Sequence, residues 1–100
     1  MDNYDIIIDD EAVRNMEQIF SYIARSFASV ETAQKLISKL EAAILSLRML
    51  PDRGALRKTG CYANTGVRQL PAGNYTIIYD INHERKEVHV LTIRYAMSNF

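Results

Sequence analysis

The sequence contains few of the residues that mark secreted, fibrous or membrane-spanning proteins. One cysteine, two prolines and four glycines occur in 100 residues. The lone Cys61 cannot form an internal disulfide, which agrees with a reducing compartment, and no motif pairs it with a base that would make it a nucleophile. No apolar run approaches the length of about 20 residues that a membrane-spanning helix needs. The sequence therefore predicts one ordinary globular domain over residues 1–100.

The chain has no excess of either charge, but its charges are unevenly placed. Twelve basic and twelve acidic residues give a formal net charge of zero. The N-terminus is acidic where a secretory signal would be basic, so we predict a cytoplasmic protein. No acid occurs between Arg53 and Asp80. The bases of this stretch, Arg53, Arg57, Lys58 and Arg68, form either a local basic face or part of a solvated loop.

Two amphipathic helices are predicted after a short N-terminal strand. Isoleucines at 6–8, bounded by acids, predict a strand over residues 4–8. Apolar residues at spacings of three and four predict one helix ending near residue 27 and a second, capped by Ser29, ending before Pro51. The first stripe comprises Val13, Met16, Phe20, Ile23 and Phe27. The second comprises Ala33, Leu36, Ile37, Leu40, Ala43, Ile44 and Leu47. So short a link predicts an antiparallel helical hairpin.

Three more strands are predicted in the second half of the chain. Residues 52–66 show no periodicity and are interpreted as a loop, with a short strand allowed at its end. Strands are predicted over residues 67–70, 75–81 and 87–95, with a turn at Pro71-Ala72-Gly73. The predicted fold class is α+β: an N-terminal strand, an antiparallel αα-hairpin and a three-stranded antiparallel meander, in the order β-α-α-β-β-β.

Both faces of the last predicted hairpin contain apolar residues. On one strand Tyr75, Ile77 and Tyr79 alternate with Ile78, and on the other Val88 and Val90 are expected to oppose Leu91 and Ile93. Two helices cover one face of a sheet, so the other face is expected to be partly bare. An exposed apolar face usually marks a partner site. The alternative is a closed core in which a helix and the long loop cover both faces.

Five segments of the sequence resemble the RelE/ParE family of bacterial toxins, along essentially the whole chain. They are YIARS, AQKLISKLEAAILSL, LPDRG, GVRQLPAGNYTIIYDI and VHVLTIRYA. In that family a helical hairpin ends at a Pro-x-x-Gly turn, here Pro51 to Gly54, and a Val-Arg-x-Leu strand follows, here Val67 to Leu70. The resemblance implies the toxin of a type II toxin-antitoxin system, neutralised by a cognate antitoxin whose C-terminal segment wraps it.

The family resemblance implies one of two modes of action. RelE-like members are ribosome-dependent endonucleases of messenger RNA, whereas ParE-like members inhibit DNA gyrase by binding. Cutting RNA through its 2′-hydroxyl group requires a proton acceptor, a proton donor and fixed positive charge. Where RelE-like nucleases carry lysine, arginine or histidine, this chain has Val67, Gln69, Thr76 and Tyr95. The absence of net positive charge also weakens the case for docking on ribosomal RNA. The ParE-like mode is therefore favoured, with the RelE-like nuclease and a non-toxic, partner-binding relic as alternatives.

Candidate site residues follow from the same resemblance. If the chain is an enzyme, it is a metal-independent endoribonuclease in which Arg68 and Arg94 clamp the phosphate and Tyr95 acts as acid or base. The residues predicted to bind target or RNA are Arg53, Arg57, Lys58 and Arg68. Those predicted to face the antitoxin, or otherwise the core, are Tyr75, Ile77 and Tyr79.

Structural roles are the alternatives for several of these residues. Arg68 would then form an ion pair with Asp80 across the meander, and His83 and His89 are both expected to be structural. No cofactor and no metal are expected, and no membrane partner. A homodimer and a toxin-antitoxin hetero-oligomer both stay open.

Overall fold

The fold consists of one mixed sheet with a helical hairpin against one face. The computed structural model describes residues 3–98 and residue 100. The strands are β1 (Asp5–Ile8), β2 (Ala55–Leu56), β3 (Arg68–Ala72), β4 (Tyr75–Asn82) and β5 (Glu87–Tyr95), and the helices are α1 (Asp10–Ser26) and α2 (Val30–Leu45). Two 3₁₀ turns, Ser46–Arg48 and Pro51–Arg53, follow α2. The order of the main elements is the predicted one, and the α+β class is confirmed.

The strands lie in the order β1-β5-β4-β3-β2. β3, β4 and β5 form the predicted antiparallel meander. β1 runs parallel to β5, with Ile6 opposite Val88. β2 pairs antiparallel with β3 and lies at the start of the long loop, whereas the sequence allowed a strand at its end. The meander is thus widened on both sides into a five-stranded sheet.

A β-bulge in β5 changes which side chains face the helices. β5 has one more residue than β4 between two adjacent cross-strand pairs, and the extra residue is Leu91. The bulge brings Ile93 onto the same face as Val88 and Val90, and all three belong to the core. The expectation that Ile93 opposes these two valines is therefore wrong.

The core lies between the helical hairpin and one face of the sheet. Its fully buried residues include Leu40 and Leu47 on the helical side and Ile77, Tyr79 and Val90 on the sheet. The predicted apolar stripe of α2 faces this core. Burial of these side chains, at roughly 25 cal/mol per Å² of apolar surface, is the main term that stabilises the fold.

The two helices begin differently from each other. Ser29 caps α2 as predicted, because its Oγ accepts a hydrogen bond from the N–H of Thr32 at 3.1 Å. Asp9 occupies the N-cap position of α1 but makes no side-chain capping hydrogen bond.

Within the described part of the chain, neither helix combines the length and the apolar character that a membrane crossing requires.

α1 faces the core with a different stripe from the predicted one. Ala12 is fully buried, and Met16 and Ile19 pack against the core. Val13 and Phe27, both in the predicted stripe, are 42% and 63% exposed. The helix carries apolar residues around more of its circumference than the sheet covers. Periodicity therefore predicted the helix but not its rotation about its own axis.

The hairpin between β3 and β4 turns two residues later than predicted. Pro71 continues β3 and pairs with Thr76, and the loop is Gly73-Asn74. The φ of Gly73 is 60°, as the first loop position of a type II′ turn requires. Pro71 fits a strand here because β2 pairs only with Arg68 and Gln69, so its missing N–H lies beyond that pairing.

Candidate functional site

The second face of the sheet is not the bare apolar surface that the sequence predicts. Its central apolar residue, Ile78, is fully buried. Ile78 pairs with Gln69, whose Oε1 accepts a hydrogen bond from Arg57 at 2.7 Å. The face turns polar further along, where Asp80 pairs with His89. The chain's own loop covers the centre of this face, whereas Ile7 on the edge strand β1 stays exposed.

Arg57 itself is engaged inside the chain. It is 6% exposed and donates to the carbonyl oxygen of Cys61 at 2.6 Å and the main-chain oxygen of Phe100 at 2.9 Å. Its Cζ also lies 4.7 Å from the centroid of the Phe100 ring. These contacts make Arg57 the least accessible of the four bases predicted to bind a target, and that role stays a prediction.

Arg68 lies on the helix-facing side of the sheet, where the turn after α2 holds it. It pairs across the strands with the core residue Tyr79. Its Nη1 donates to the carbonyl oxygen of Gly54 at 2.6 Å, and its Nε lies 3.7 Å from the carboxylate of Asp52. The ion-pair partner of Arg68 is therefore Asp52, and the predicted pairing with Asp80 is wrong.

The same carboxylate brings in His83. Nε2 of His83 lies 3.9 Å from Asp52, and its Nδ1 lies 2.8 Å from the hydroxyl group of Tyr4. Sequence patterns do not predict that His83 lies near Arg68, because no local pattern relates residues so far apart in the chain. These contacts connect the N-terminal segment, the turn after α2, β3 and the β4–β5 turn, in agreement with a structural role for His83.

The three residues of the predicted nuclease site are not brought together. Arg68 lies on the helix-facing side of the sheet, whereas Arg94 pairs with Thr76 on the opposite side. Tyr95, next in sequence, returns to the helix-facing side opposite Tyr75. The guanidinium group of Arg68 is held by Gly54 in the turn after α2, whereas that of Arg94 is held by Glu11 at the start of α1, so the two groups are bound to different elements of the fold.

Arg94 is tied to the start of α1. Its Nη2 lies 3.5 Å from Oε2 of Glu11, and its Nε donates to Oγ1 of Thr92 at 2.9 Å. Hydrogen bonding by Thr92 lowers the pKa of Glu11, burial opposes this, and Arg94 lowers it further. Oδ1 of Asn15 accepts hydrogen bonds from Thr92 Oγ1 at 2.9 Å and from the N–H of Ile93 at 3.0 Å. Asn15 of α1 thus accepts the hydrogen bonds of a part of β5 that does not pair with β1.

The three residues predicted to face the antitoxin lie in the core. Ile77 and Tyr79 are 0% exposed and Tyr75 is 8% exposed. Burial raises the pKa of both tyrosines above the ordinary value of 10.0. Since this face of β4 packs under the helices, Ile77 and Tyr79 offer no surface to a partner. Tyr75 alone reaches the edge of an open groove.

Three exposed aromatic side chains line this groove, which lies between α1 and one end of the sheet. We call it the α1 groove, and its volume is about 1010 Å³. Tyr22, Phe27 and Tyr95 are 62%, 63% and 48% exposed. Tyr95 meets Tyr75 edge-on at 5.8 Å between ring centroids. The lining residues are Asn15, Gln18, Ile19, Tyr22, Ile23, Ser26, Phe27, Leu36, Lys39, Gly73, Asn74, Tyr75, Ile93, Arg94 and Tyr95. Uncovered aromatic side chains in a groove are typical of a protein-binding site.

Two bases, Lys39 of α2 and Arg94 of β5, contribute to the lining of the α1 groove. A partner that carries apolar residues flanked by acids would complement this surface. The only sequence signal for the groove is the surplus of apolar residues on α1 and at its C-cap, Phe27. That signal does not show which of them stay uncovered.

Arg53 and Lys58 are the accessible members of the predicted basic set. Both are exposed, and Nη1 of Arg53 donates to Oγ of Ser46 at 2.7 Å. Neither lines the α1 groove. Their predicted role in target binding therefore concerns a separate part of the surface.

Solved structures with the same fold belong to toxin-antitoxin systems. The chromosomal ParDE system from P. aeruginosa matches with a TM-score of 0.75 and 18% identity, over 92% of this chain and 95% of that one. The RelBE2 complex from Mycobacterium tuberculosis matches with a TM-score of 0.64 and 20% identity, over 95% of this chain and 93% of that one. The archaeal RelE-RelB complex from Pyrococcus horikoshii matches with a TM-score of 0.61 and 16% identity, over 95% of this chain and 97% of that one. At these identities the likeness establishes the fold.

The family follows from the sequence match. Residues 6–100 match the family described as ParE toxin of type II toxin-antitoxin system, parDE. None of the curated proteins matches the chain. The chain belongs to the ParE toxin family, and it is the toxin of a type II toxin-antitoxin system.

Proposed function

We propose that this toxin acts by binding its cellular target, as a ParE-like inhibitor, and that the target is DNA gyrase. The observation that carries the proposal is the family match over residues 6–100. Arg68 and Arg94 are held by different elements, Gly54 and Glu11, which supports binding over RNA cleavage, because a cleavage site needs its charges on one phosphate group. The exposed bases Arg53 and Lys58 are the candidates for target contact.

The RelE-like endonuclease is the alternative outcome of the test. It would need Arg68, Arg94 and Tyr95 to act on one phosphate group, whereas Arg68 and Arg94 are held by different elements of the fold here. A fold that has lost toxicity and only binds partners is the remaining alternative.

We also propose that a cognate antitoxin binds in the α1 groove. The RelBE2 and RelE-RelB structures with this fold are toxin-antitoxin complexes. The groove offers exposed Tyr22 and Phe27 beside basic Lys39, which suits an amphipathic segment with acids along its edge. The expected assembly is a toxin-antitoxin hetero-oligomer.

The experiment is induction of the chain alone and together with the protein encoded beside its gene. Growth arrest by the chain alone, relieved by the second protein, is expected. Gyrase-dependent DNA breaks with intact messages would support the proposed target. Codon-phased cuts within translated messages would replace it with the nuclease, and the absence of any growth effect would leave only the non-toxic relic.

A further inference from the structure

Arg94 lies in the wall of the α1 groove with part of its guanidinium group already in use. It contributes to the groove lining, and its side chain is 42% exposed. Its Nη2 lies 3.5 Å from Oε2 of Glu11, in the first turn of α1. Among residues 3–98 and 100, Nη1 has no hydrogen-bond partner. The base that an acidic partner would contact therefore already carries an acid of the same chain.

Hydrogen bonds behind its terminal nitrogen atoms hold Arg94 in place. Its Nε donates to Oγ1 of Thr92 at 2.9 Å, and the same hydroxyl group donates to Oδ1 of Asn15 at 2.9 Å. Thr92 is fully buried, so this support lies inside the fold and does not involve Glu11. A side chain that is already ordered loses less conformational entropy when a partner binds it. Arg94 is thus prepared to bind a carboxylate other than that of Glu11.

The contact between Glu11 and Arg94 is the replaceable part of this arrangement. It joins one oxygen atom to one terminal nitrogen atom, and the side chain of Glu11 is 47% exposed. Arginine binds a carboxylate best through two parallel N–H···O bonds of about 2.7–2.9 Å. Exposed ion pairs contribute little to the stability of a fold. A partner's carboxylate that reached both terminal nitrogen atoms would therefore bind Arg94 better than Glu11 does.

Glu11 also places a negative charge beside the nitrogen atom that an acidic partner would bind. Hydrogen bonding by Thr92 lowers the pKa of Glu11, burial opposes this, and Arg94 lowers it further, so Glu11 is ionised at neutral pH. Two like charges on one guanidinium group repel each other. The second base of the lining, Lys39, forms no ion pair within residues 3–98 and 100. Of the two bases in the groove, competition therefore concerns Arg94.

We propose that Glu11 is a built-in competitor for Arg94, and that an Asp or Glu side chain of the antitoxin replaces it when the antitoxin binds in the α1 groove. This inference rests on the proposed binding of the antitoxin in that groove, and it adds a residue that determines specificity. An antitoxin segment without an acid at this point would leave the pair of Glu11 and Arg94 intact and gain nothing from Arg94. The pair thus selects against segments that carry only apolar residues.

The test is calorimetric titration of the full-length chain with the protein encoded beside its gene. Glu11→Gln removes the competing charge and keeps the length of the side chain, so binding should tighten about threefold to fivefold, as for an exposed ion pair. Glu17→Gln is the matched control, because Glu17 is an exposed acid of the same helix that lines a different depression, with Met16 and Phe20. It makes the same change in net charge and should bind as the unaltered chain does.

A double variant separates competition at Arg94 from general repulsion by Glu11. Arg94→Gln alone should weaken binding about tenfold, the equivalent of one charged hydrogen bond. In that background Glu11→Gln should cause no further change, because the group for which it competes is absent. Circular dichroism of every variant checks that the fold persists. A gain from Glu11→Gln that is just as large without Arg94 would overturn the inference.

Two further outcomes distinguish this inference from the proposed groove itself. If Tyr22→Ala, Phe27→Ala loses binding while Glu11→Gln and Glu17→Gln bind equally well, the inference is overturned and the groove remains the antitoxin site. If the groove variant binds as the unaltered chain does, both the groove and the inference are overturned.

Discussion

The hydroxyl group of Tyr79 lies 2.6 Å from the carbonyl oxygen of Pro51, to which it donates a hydrogen bond inside the core. The same oxygen atom of Tyr79 accepts a hydrogen bond from the N–H of Gly54 at 2.9 Å. One side chain of the central strand therefore holds both ends of the Pro51 to Gly54 turn. This contact explains physically why a helical hairpin that ends in Pro-x-x-Gly is followed by a strand with a buried tyrosine.

Tyr79→Phe removes this hydroxyl group and leaves a buried carbonyl and a buried N–H without their partner. The expected loss is about 2 kcal/mol in the free energy of unfolding, measured by urea denaturation. Tyr95→Phe is the matched control, because Tyr95 is 48% exposed, and it should change stability by less than about 0.5 kcal/mol. Equal effects of the two substitutions would refute the structural role of the Tyr79 hydroxyl group.

Gly54→Ala is expected to destabilise the fold through steric overlap alone. The φ of Gly54 is −77°, which alanine adopts freely, but its Cβ would lie 2.6 Å from the Tyr79 hydroxyl and 2.7 Å from the Gln69 carbonyl oxygen. The expected cost is about 2–3 kcal/mol. Gly66→Ala provides the comparison, because Gly66 has open space around it and a φ of 87°, so its cost is only the backbone strain of about 1 kcal/mol. A larger loss at Gly66 than at Gly54 would contradict the crowding at the turn.

Stability should fall at alkaline pH because burial raises the pKa of Tyr79 and Tyr75 above 10.0. Above about pH 10 the unfolded chain releases protons that the folded chain still holds, so the unfolded state gains stability. The loss of stability begins at the pKa of tyrosine in the unfolded chain and continues until the pH reaches the raised pKa of the folded chain. Each tyrosine contributes at most about 1.4 kcal/mol per pH unit.

Urea denaturation of the unaltered chain and of Tyr79→Phe between pH 8 and pH 11 measures this effect. The variant starts from a lower stability but should decline less steeply, since one shifted tyrosine is absent. Parallel declines would show that Tyr79 does not contribute to the pH dependence.

Local patterns in the sequence were sufficient for the types and order of the elements. The α2 stripe repeats at helical spacing and Ser29 caps it, and the strict alternation of Tyr75, Ile77 and Tyr79 correctly placed these three on one face. The turn predicted at Pro71-Ala72-Gly73 was wrong in position, because proline is acceptable at the unpaired edge of a strand as well as in a turn. The rotation of α1 depended on the sheet it packs against, which periodicity does not specify.

The candidate site was less predictable because it depends on contacts between distant segments. Leu91 is an ordinary strand residue by composition, yet as a bulge it moves Ile93 to the other face. Arg57 looked like a free loop cation until Phe100 and Gln69 were found beside it. The sequence argument for a partner site was correct in expecting exposed apolar surface. It expected that surface on the sheet, whereas the most exposed aromatic side chains, Tyr22 and Phe27, lie beside α1.

The central claim is that the antitoxin binds in the α1 groove. The affinity of this chain for the protein encoded beside its gene tests that claim most directly. The double variant Tyr22→Ala, Phe27→Ala is compared by calorimetry with Ile7→Ala, since Ile7 is 38% exposed and pairs with His89 on the second sheet face. We expect the groove variant to lose at least about 100-fold in affinity, as for two aromatic hot-spot residues, and Ile7→Ala to bind as the unaltered chain does. Unchanged binding by the groove variant, with loss in Ile7→Ala, would return the partner site to the second face of the sheet.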